Sequence, residues 1–299
     1  KYVFANRQGG WVYKNDIIQD LYEVWSIFKP IVFAAGIDSW ELKRYDMYRD
    51  EWFVKIDNFK ISNVATQCLW YNTFQNAMNY SCNVWMIRIA QAIWKNIYHK
   101  YLDSFGFWKS TWIELSWEVA WSLAPVEAWS RAQLFTTSYW LWVWVTMVQM
   151  AAAYSTIANG WIYYKPQIIK KIEFADWKVD IYKPNPTHRV LKESTSKLMT
   201  EVLVDWVEKW EAKVWKVEWY TLAWKTWTAQ IAYKWKYETW AASTMASYAW
   251  FWPAEDPKFV IIVTVERPRK SEWWGATAWK TFNKIAKYLL SYYKIPPKK

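Results

Sequence analysis

The sequence predicts a mixed α/β (α+β) fold, in which a β-sheet is flanked by helices. Two near-continuous apolar runs at 245–252 and 259–266 have the length and composition of strands that are buried on both faces. Segments with helical spacing occur on either side of these runs in the sequence, at 146–158, 194–209 and 277–293. With 299 residues, the chain is long enough for one large domain or two small ones.

The ratio of tryptophan to glycine is the most unusual feature of the composition. The chain has 30 tryptophans and 6 glycines, whereas glycine ordinarily makes up about 7% of a protein. Tryptophan stands in turn-like contexts such as Phe107-Trp108-Lys109 and Asp176-Trp177-Lys178, where the positive φ angles of glycine are usually needed. We hypothesise that most tryptophan letters stand for glycine, as results when UGA codons that encode glycine are read as tryptophan. The alternative is a chain that is truly rich in tryptophan.

The charge pattern and the few cysteines and histidines argue against a nucleic-acid partner and against a metal site. The net charge of +11 fits a solvated basic surface or an anionic neighbourhood. No Lys/Arg cluster alternates with aromatic residues, so we expect no nucleic-acid partner. Cys68 and Cys82 lack metal-ligand spacing and leave a disulfide possible but not required, while the isolated His99 and His188 are interpreted as structural. We therefore expect no metal site and no cofactor.

The elements before residue 165 follow from local patterns. The apolar stretch 26–38 predicts a helix, with Pro30 tolerated in its first turn. Residues 38–66 are polar and turn-rich, which predicts an irregular segment, and 71–101 has helical spacing. The uncharged stretch 132–164 is interrupted by Ser, Thr and Gln, which favours a buried core helix over a membrane span. No signal-peptide pattern opens the sequence.

The elements after residue 160 are predicted to be strands and helices. Alternation and prolines at 161–192 predict a surface strand pair, and strands are predicted at 219–230, 245–252 and 259–266. The apolar stripe of the helix at 194–209 includes Trp206.

Three short motifs contain residue types that can perform acyl-transfer chemistry, and they occur in a set order along the chain. Ser26-Ile27-Phe28-Lys29 matches Ser-x-x-Lys, and Ser81-Cys82-Asn83 matches Ser-x-Asn. The segment 220–230, YTLAWKTWTAQ, contains Lys-Thr-Gly if Trp227 is read as glycine, and 105–121 becomes FGFGKSTGIELSGEVAG on the same reading. With these motifs, nearly the whole chain resembles the transpeptidase domain of class B penicillin-binding proteins, the monofunctional cell-wall cross-linking enzymes.

The match is not complete at every position. Val24 stands where the family has proline, and Trp25 where it has glycine. Trp129 and Trp273 stand where the family itself tends to carry tryptophan or another aromatic residue, and Trp11 and Trp206 could not be assigned.

The resemblance implies an antiparallel sheet flanked by helices and an all-helical subdomain, at roughly 60–160, inserted between the first motif and the sheet strands. Residues 1–299 are then one transpeptidase domain. In the family, two strands and a helix precede the first motif, so we expect a chain truncated at its N-terminus and a sheet with an exposed edge. The missing part would include the membrane anchor, which implies a location on the extracytoplasmic face of the bacterial cell membrane.

The activity implied is the cross-linking of peptidoglycan stem peptides that end in D-Ala-D-Ala. Ser26 would be the nucleophile and Lys29 its base, because a serine hydroxyl needs an adjacent proton acceptor. Ser81 and Lys225 would pass the proton to the leaving D-Ala, and Asn83 would bind the substrate backbone.

The third motif would bind the end of the substrate. Thr226 and Thr228 would hold the terminal carboxylate, and the backbone N–H groups of Ser26 and Thr228 would form the oxyanion hole. Glycine at position 227 lets the substrate lie against the strand, so a literal Trp227 would clash with it.

The partners implied are stem peptides, β-lactams and proteins of a cell-wall synthesis complex, in a role in cell division or cell shape. Two alternatives stay open. One is a hydrolase of the same superfamily, a D,D-carboxypeptidase or β-lactamase, although no loop glutamate is placed to activate a water. The other is a non-catalytic β-lactam sensor or scaffold.

Overall fold

The structure is a computed structural model that describes residues 14–57, 59–120, 125–138, 143–209, 220–233, 236–238, 243–269 and 277–297. The helices are α1 (Asp16–Gln19), α2 (Lys29–Asp38), α3 (Phe74–Asn79), α4 (Asn83–Ala92), α5 (Lys95–Ser104), α6 (Arg131–Ser138), α7 (Met147–Ala158), α8 (Glu193–Lys209) and α9 (Ala278–Tyr292). The first strands are β1 (Tyr22–Glu23), β2 (Met47–Asp50), β3 (Phe53–Ile56), β4 (Phe59–Ser62), β5 (Trp70–Thr73), β6 (Trp144–Val145) and β7 (Ile162–Tyr164). The later strands are β8 (Lys171–Glu173), β9 (Val179–Ile181), β10 (Pro186–Arg189), β11 (Ala223–Gln230), β12 (Ala232–Tyr233), β13 (Lys236–Tyr237), β14 (Thr244–Trp252) and β15 (Phe259–Glu266).

The central sheet is antiparallel, and its strands lie in the order β11-β14-β15 in the described residues. Side chains of β14 alternate between two cores, as strand geometry requires. Ala249 and Phe251 belong to the core built with α2, α7 and α8. Tyr248 and Trp250 belong to a second core, with Phe282 of α9. Helices therefore cover both faces of the sheet, and the predicted fold class is confirmed.

The helices follow the predicted positions closely. Thr146 caps α7 with a reciprocal bond to Gln149, and Gly160 follows the end of the helix with φ 84°. The interior of α7 is buried, which confirms a core helix. No helix in the described part of the chain combines the length and apolar composition that crossing a membrane requires.

Three expectations need correction. The segment 38–66 is not irregular, because it contains β2, β3 and β4; β3 pairs with β4, and β2 pairs with β5. The stretch 161–192 forms two strand pairs, β7 with β10 and β8 with β9, where one was predicted. The α-helix predicted from residue 26 begins at Lys29, the last residue of the first motif, and Ser26 lies in a preceding 3₁₀ turn. Strands of three or four residues give too short an alternation to be recognised in sequence.

Both histidines have the surroundings of structural residues. The ring of His99 packs beside those of Trp108 and Trp129. His188 stacks on Tyr163, and its Nε2 lies 2.8 Å from the Ser104 carbonyl oxygen.

The backbone at many tryptophans has the left-handed conformation that favours glycine. Positive φ angles between 59° and 76° occur at Trp40, Trp52, Trp70, Trp108, Trp112, Trp117, Trp161 and Trp177. Left-handed backbone costs a residue with a Cβ about 1–2 kcal/mol. Five buried indole N–H groups in the described residues also have no acceptor, those of Trp85, Trp108, Trp161, Trp250 and Trp252. Each such group costs about 1–3 kcal/mol. Both observations support the hypothesis that many of these letters stand for glycine.

Candidate active site

Ser26 lies in a 3₁₀ turn, Trp25–Phe28, that leads directly into α2. The neighbouring Ile27 and Phe28 are buried in the core. The hydroxyl of the buried Tyr154, on α7, donates to the carbonyl oxygen of Ile27 at 2.9 Å. Ser26 itself is half-buried. The core thus holds the turn in place while Ser26 keeps access to solvent.

Lys29 is the first residue of α2 and is only 1% exposed. Its Nζ donates to the carbonyl oxygen of Ser81 at 2.5 Å, to Ser81 Oγ at 3.1 Å and to Asn83 Oδ1 at 2.8 Å. The first two motifs, more than fifty residues apart in sequence, are therefore joined by direct hydrogen bonds.

Ser81 occupies the turn between α3 and α4 with a left-handed φ of 57°. Its hydroxyl lies 3.3 Å from Ser26 Oγ. The same hydroxyl lies 3.1 Å from Lys29 Nζ, so Ser81 bridges the other two groups. A serine hydroxyl can donate one bond and accept others, so a proton can pass along this line.

Two causes lower the pKa of Lys29 well below its ordinary value. The larger is burial, which disfavours the ammonium form, and the second is the positive charge of Lys225. Lys225 lies on β11 and is 2% exposed, and its Nζ sits 4.3 Å from the centre of the Trp206 ring. The strand β11 packs against the 3₁₀ turn of Ser26. The structure therefore brings Ser26, Lys29, Ser81, Asn83 and Lys225 to one place.

The rest of the third motif is only partly described. Thr226 is buried on β11. Trp227 pairs with Ser247, and Thr228 pairs with Ala246, across β11 and β14. The expectations about a Trp227 clash and the Thr228 hydroxyl concern side chains outside the described ones.

The middle residue of the second motif is covalently tethered. Cys82 forms a disulfide with Cys68, with Cα atoms 5.7 Å apart. Cys68 ends a 3₁₀ turn, Thr66–Cys68, and both cysteines are buried. The sequence left this pairing open, because two cysteines without flanking signals do not reveal their distance in the fold.

Other residues that contact the site lie outside all three motifs. Tyr154 bonds to the Ser26 turn, and Trp206 lies under Lys225. Asn63 accepts a hydrogen bond from the backbone N–H of Asn83 at 2.8 Å. No local signal marked Tyr154 or Asn63, because their roles depend on contacts between distant segments.

Comparisons with known proteins agree with this geometry. The family model described as "Penicillin binding protein transpeptidase domain" matches residues 2–287. Stage V sporulation protein D from Bacillus subtilis is 30% identical over 271 residues, 89% of this chain and 42% of that protein. Peptidoglycan D,D-transpeptidase FtsI from Escherichia coli K12 is 24% identical over 270 residues, 88% of this chain and 42% of that protein. The chain thus spans less than half the length of these curated relatives.

A solved structure has the same fold. Penicillin-binding protein 3 from Mycobacterium tuberculosis, complexed with aztreonam, matches with a TM-score of 0.87 at 21% identity, covering 98% of this chain and 67% of that one. The match of the family model to most of the chain establishes the class of the domain. The chain belongs to the penicillin-binding protein transpeptidase family.

Proposed function

We propose that this domain is a serine acyl-transferase that cross-links peptidoglycan stem peptides ending in D-Ala-D-Ala and is acylated by penicillins at Ser26. The observation that carries the proposal is the line of groups from Ser26 Oγ through Ser81 Oγ to Lys29 Nζ, with separations of 3.3 and 3.1 Å. Serine acyl transfer requires a base that takes the proton of the nucleophile, and here the Ser81 hydroxyl bridges the two groups. The name of the E. coli relative, a peptidoglycan D,D-transpeptidase, agrees with it.

In the acylation step, neutral Lys29 is the base. A neutral amine has two N–H groups and one lone pair. When Lys29 loses the proton that it donates to Ser81 Oγ, its two N–H groups stay on the Ser81 carbonyl and Asn83 Oδ1, and its lone pair then faces the Ser81 hydroxyl. Ser81 then donates its proton to Lys29 and receives the proton of Ser26. The Ser26 oxygen forms a bond to the penultimate D-Ala carbonyl carbon.

The tetrahedral intermediate collapses when the amide bond to the last D-Ala breaks. The leaving nitrogen takes the proton back from Lys29 through Ser81, aided by the charge of Lys225. The carboxylate of the leaving D-Ala is held by Lys225, Thr226 and Thr228. Loss of one oxyanion donor, the Ser26 or Thr228 N–H, would raise the barrier by about 2.7–4 kcal/mol.

The second half-reaction decides between the alternatives. In a transpeptidase, an amine of a second stem peptide attacks the Ser26 ester and releases the serine. In a carboxypeptidase or β-lactamase, water does so, and in a sensor the ester persists. The rate of acyl-enzyme breakdown, with and without an acceptor amine, separates these three outcomes.

The proposed setting is the extracytoplasmic face of a bacterial membrane, as part of a cell-wall synthesis complex. Stem peptides and β-lactams are the proposed ligands. The aztreonam bound to the M. tuberculosis protein is a β-lactam, which agrees with this ligand class.

The test is labelling by a fluorescent penicillin. We define the glycine-restored chain as the sequence with every tryptophan except Trp11, Trp129, Trp206 and Trp273 replaced by glycine. We expect this chain to be labelled covalently and its Ser26→Ala variant not to be. We expect the literal chain, with Trp227, not to be labelled, because an indole at this strand position would block the ligand.

Equal labelling with and without Ser26 would contradict the proposed nucleophile. Equal labelling of the two chains would contradict the need for glycine at position 227. Returning tryptophan at position 227 alone, within the glycine-restored chain, separates this residue from the other replacements.

A further inference from the structure

Asp50, at the end of β2, is a fully buried carboxylate outside the three motifs. Its Oδ1 accepts hydrogen bonds from the Trp52 backbone N–H at 2.8 Å and from Asn63 Nδ2 at 2.9 Å. Its Oδ2 accepts a bond from the Tyr48 hydroxyl at 2.7 Å. A buried charge is tolerated only when it is hydrogen-bonded in this way.

The carboxylate determines which way the Asn63 amide faces. An ionised carboxylate only accepts, so the NH₂ group of Asn63 must point at Asp50 and its oxygen must point away. That oxygen accepts from the backbone N–H groups of Asn83 at 2.8 Å and Val84 at 3.1 Å. Asn63 is itself 5% exposed.

These two N–H groups are the first of α4, and the first N–H groups of a helix have no acceptor within it. The N-cap residue of α4 is Cys82, which makes no side-chain cap bond. Asn63, the residue that follows β4, therefore caps α4 in its place. The start of α4 is the second motif, so the cap acts directly on a predicted site residue.

The Asn83 side chain is oriented in turn. Its Nδ2 donates to the Ser62 carbonyl at 3.0 Å, so its Oδ1 faces Lys29 Nζ at 2.8 Å. A continuous line of hydrogen bonds thus runs from the buried carboxylate through Asn63 and Asn83 to the proposed base.

We propose that Asp50 and Asn63 are positioning residues for acyl transfer: they hold the start of α4 so that Asn83 and Ser81 face Lys29. This rests on the proposed function. The competing explanation is that Asp50 only stabilises the short strands around it.

Asp38 provides a matched control for that explanation. It is also buried, at the opposite end of α2 from Lys29. Its carboxylate accepts from a tyrosine hydroxyl, a backbone N–H and a side-chain donor, those of Tyr101, Lys192 and Thr195, at 2.8, 2.9 and 2.6 Å. Removing Asp38 therefore removes the same kinds of bonds, away from the second motif.

The experiment compares Asp50→Ala, Asp50→Asn and Asp38→Ala in the glycine-restored chain. Acylation by a fluorescent penicillin is measured across pH, on folded protein below its melting temperature. We expect Asp50→Ala to slow acylation about tenfold or more, since displacing a catalytic group by ~1 Å costs on the order of 10²-fold. The midpoint of the rise in rate with pH should also move to lower pH, because the Lys29 ammonium loses an acceptor.

Asp50→Asn tests rescue by a conservative change. The introduced amide oxygen can still accept from Asn63 and from the backbone N–H of residue 52, which is glycine in the glycine-restored chain. Its NH₂ can donate to Tyr48, because a tyrosine hydroxyl also accepts. We expect acylation within about threefold of the unsubstituted rate and an unchanged midpoint. Asp38→Ala should lower the melting temperature and leave both the rate and the midpoint unchanged.

A second variant and a second readout keep the proposal testable if Asp50→Ala does not fold. Asn63→Ala leaves Asp50 its bonds to Tyr48 and to the backbone N–H of residue 52, and it is expected to have the same effects on rate and midpoint. Hydrogen exchange at the Asn83 and Val84 amides should become faster in either variant and not in Asp38→Ala.

If Asp50→Ala and Asn63→Ala are both acylated at the unsubstituted rate, with unchanged amide exchange, the positioning role is overturned and the proposed function is not. If the unsubstituted chain is not acylated, the proposed function is wrong and the catalytic proposal fails with it.

Discussion

At the scale of single residues, the site depends on one lysine, Lys29, whose pKa is lowered. Lys29 is buried, and Lys225 adds a positive charge close to it, so its pKa lies well below the usual value. Both causes act in the same direction, since each disfavours the ammonium. A neutral amine at working pH is what the proposed proton transfer from Ser26 requires.

Lys225→Met is expected to shift the pH dependence of acylation upward. Removing the charge raises the pKa of Lys29, so the rise in rate should begin at higher pH in the glycine-restored chain. This shift is opposite to the one expected for Asp50→Ala. The measurement is the rate of penicillin acylation across pH. The control is Lys178→Met, at an exposed lysine, and an unmoved midpoint in Lys225→Met would contradict the coupling.

The tryptophans with left-handed backbone allow a direct test of the glycine hypothesis. Trp177 has φ 66° and is 92% exposed, so its replacement buries or exposes little apolar surface. Trp177→Gly should relieve about 1–2 kcal/mol of backbone strain. The greater freedom of glycine in the unfolded chain offsets about 0.5–1 kcal/mol of this. We expect the free energy of unfolding of the literal chain to rise by ~0.5–1 kcal/mol in denaturant titration.

Tyr45→Gly is the matched control for this prediction. Tyr45 is 65% exposed and is not among the positive-φ residues, so glycine there should lower stability by ~0.5–1 kcal/mol. The coding DNA gives an independent answer. TGA codons are expected at Trp85, Trp142, Trp224 and Trp227, and TGG at these four positions would show that the tryptophans are literal.

At the scale of elements, the second motif depends on what holds the start of α4. Asn63 caps it, the Ser81 turn precedes it, and the disulfide from Cys82 joins it to the Thr66–Cys68 turn. Asn63 and Cys68 come from segments whose local pattern says nothing about the motif. The corrected region 38–66 supplies Asn63, and the turn that ends at Cys68 follows it directly, which explains why its short strands matter to the site.

Breaking the disulfide by a paired Cys68→Ser and Cys82→Ser change is expected to lower stability by about 3 kcal/mol, the loop-entropy value for a loop of this length. The two cysteines are 14 residues apart. Denaturant titration of the oxidised chain, the reduced chain and the double variant measures the change. The reduced chain should resemble the double variant. Three equal stabilities would mean that packing alone holds this loop.

At the scale of the whole molecule, two cores on opposite faces of the central sheet bring the site together. The core with α2, α7 and α8 fixes the Ser26 turn and the helix on which Lys29 lies. The core with α9 supports the other face of β14 and so the sheet on which Lys225 lies. The site forms where β11 packs against the turn that leads into α2 and where Lys29 bonds to the start of α4.

Local patterns determined much of this protein. Apolar periodicity predicted α7, α8, α9, β14 and β15, because a buried face repeats along an element with the element's own period. The three motifs predicted the candidate site residues, because the family repeats them in a set order.

Only the tertiary structure decided how those residues are held. The Cys68–Cys82 bond, the Asp50–Asn63 line and the pKa of Lys29 each depend on groups that are distant in sequence and adjacent in space. Burial and direction of hydrogen bonding are properties of the packed chain, so no local pattern of residues contains them.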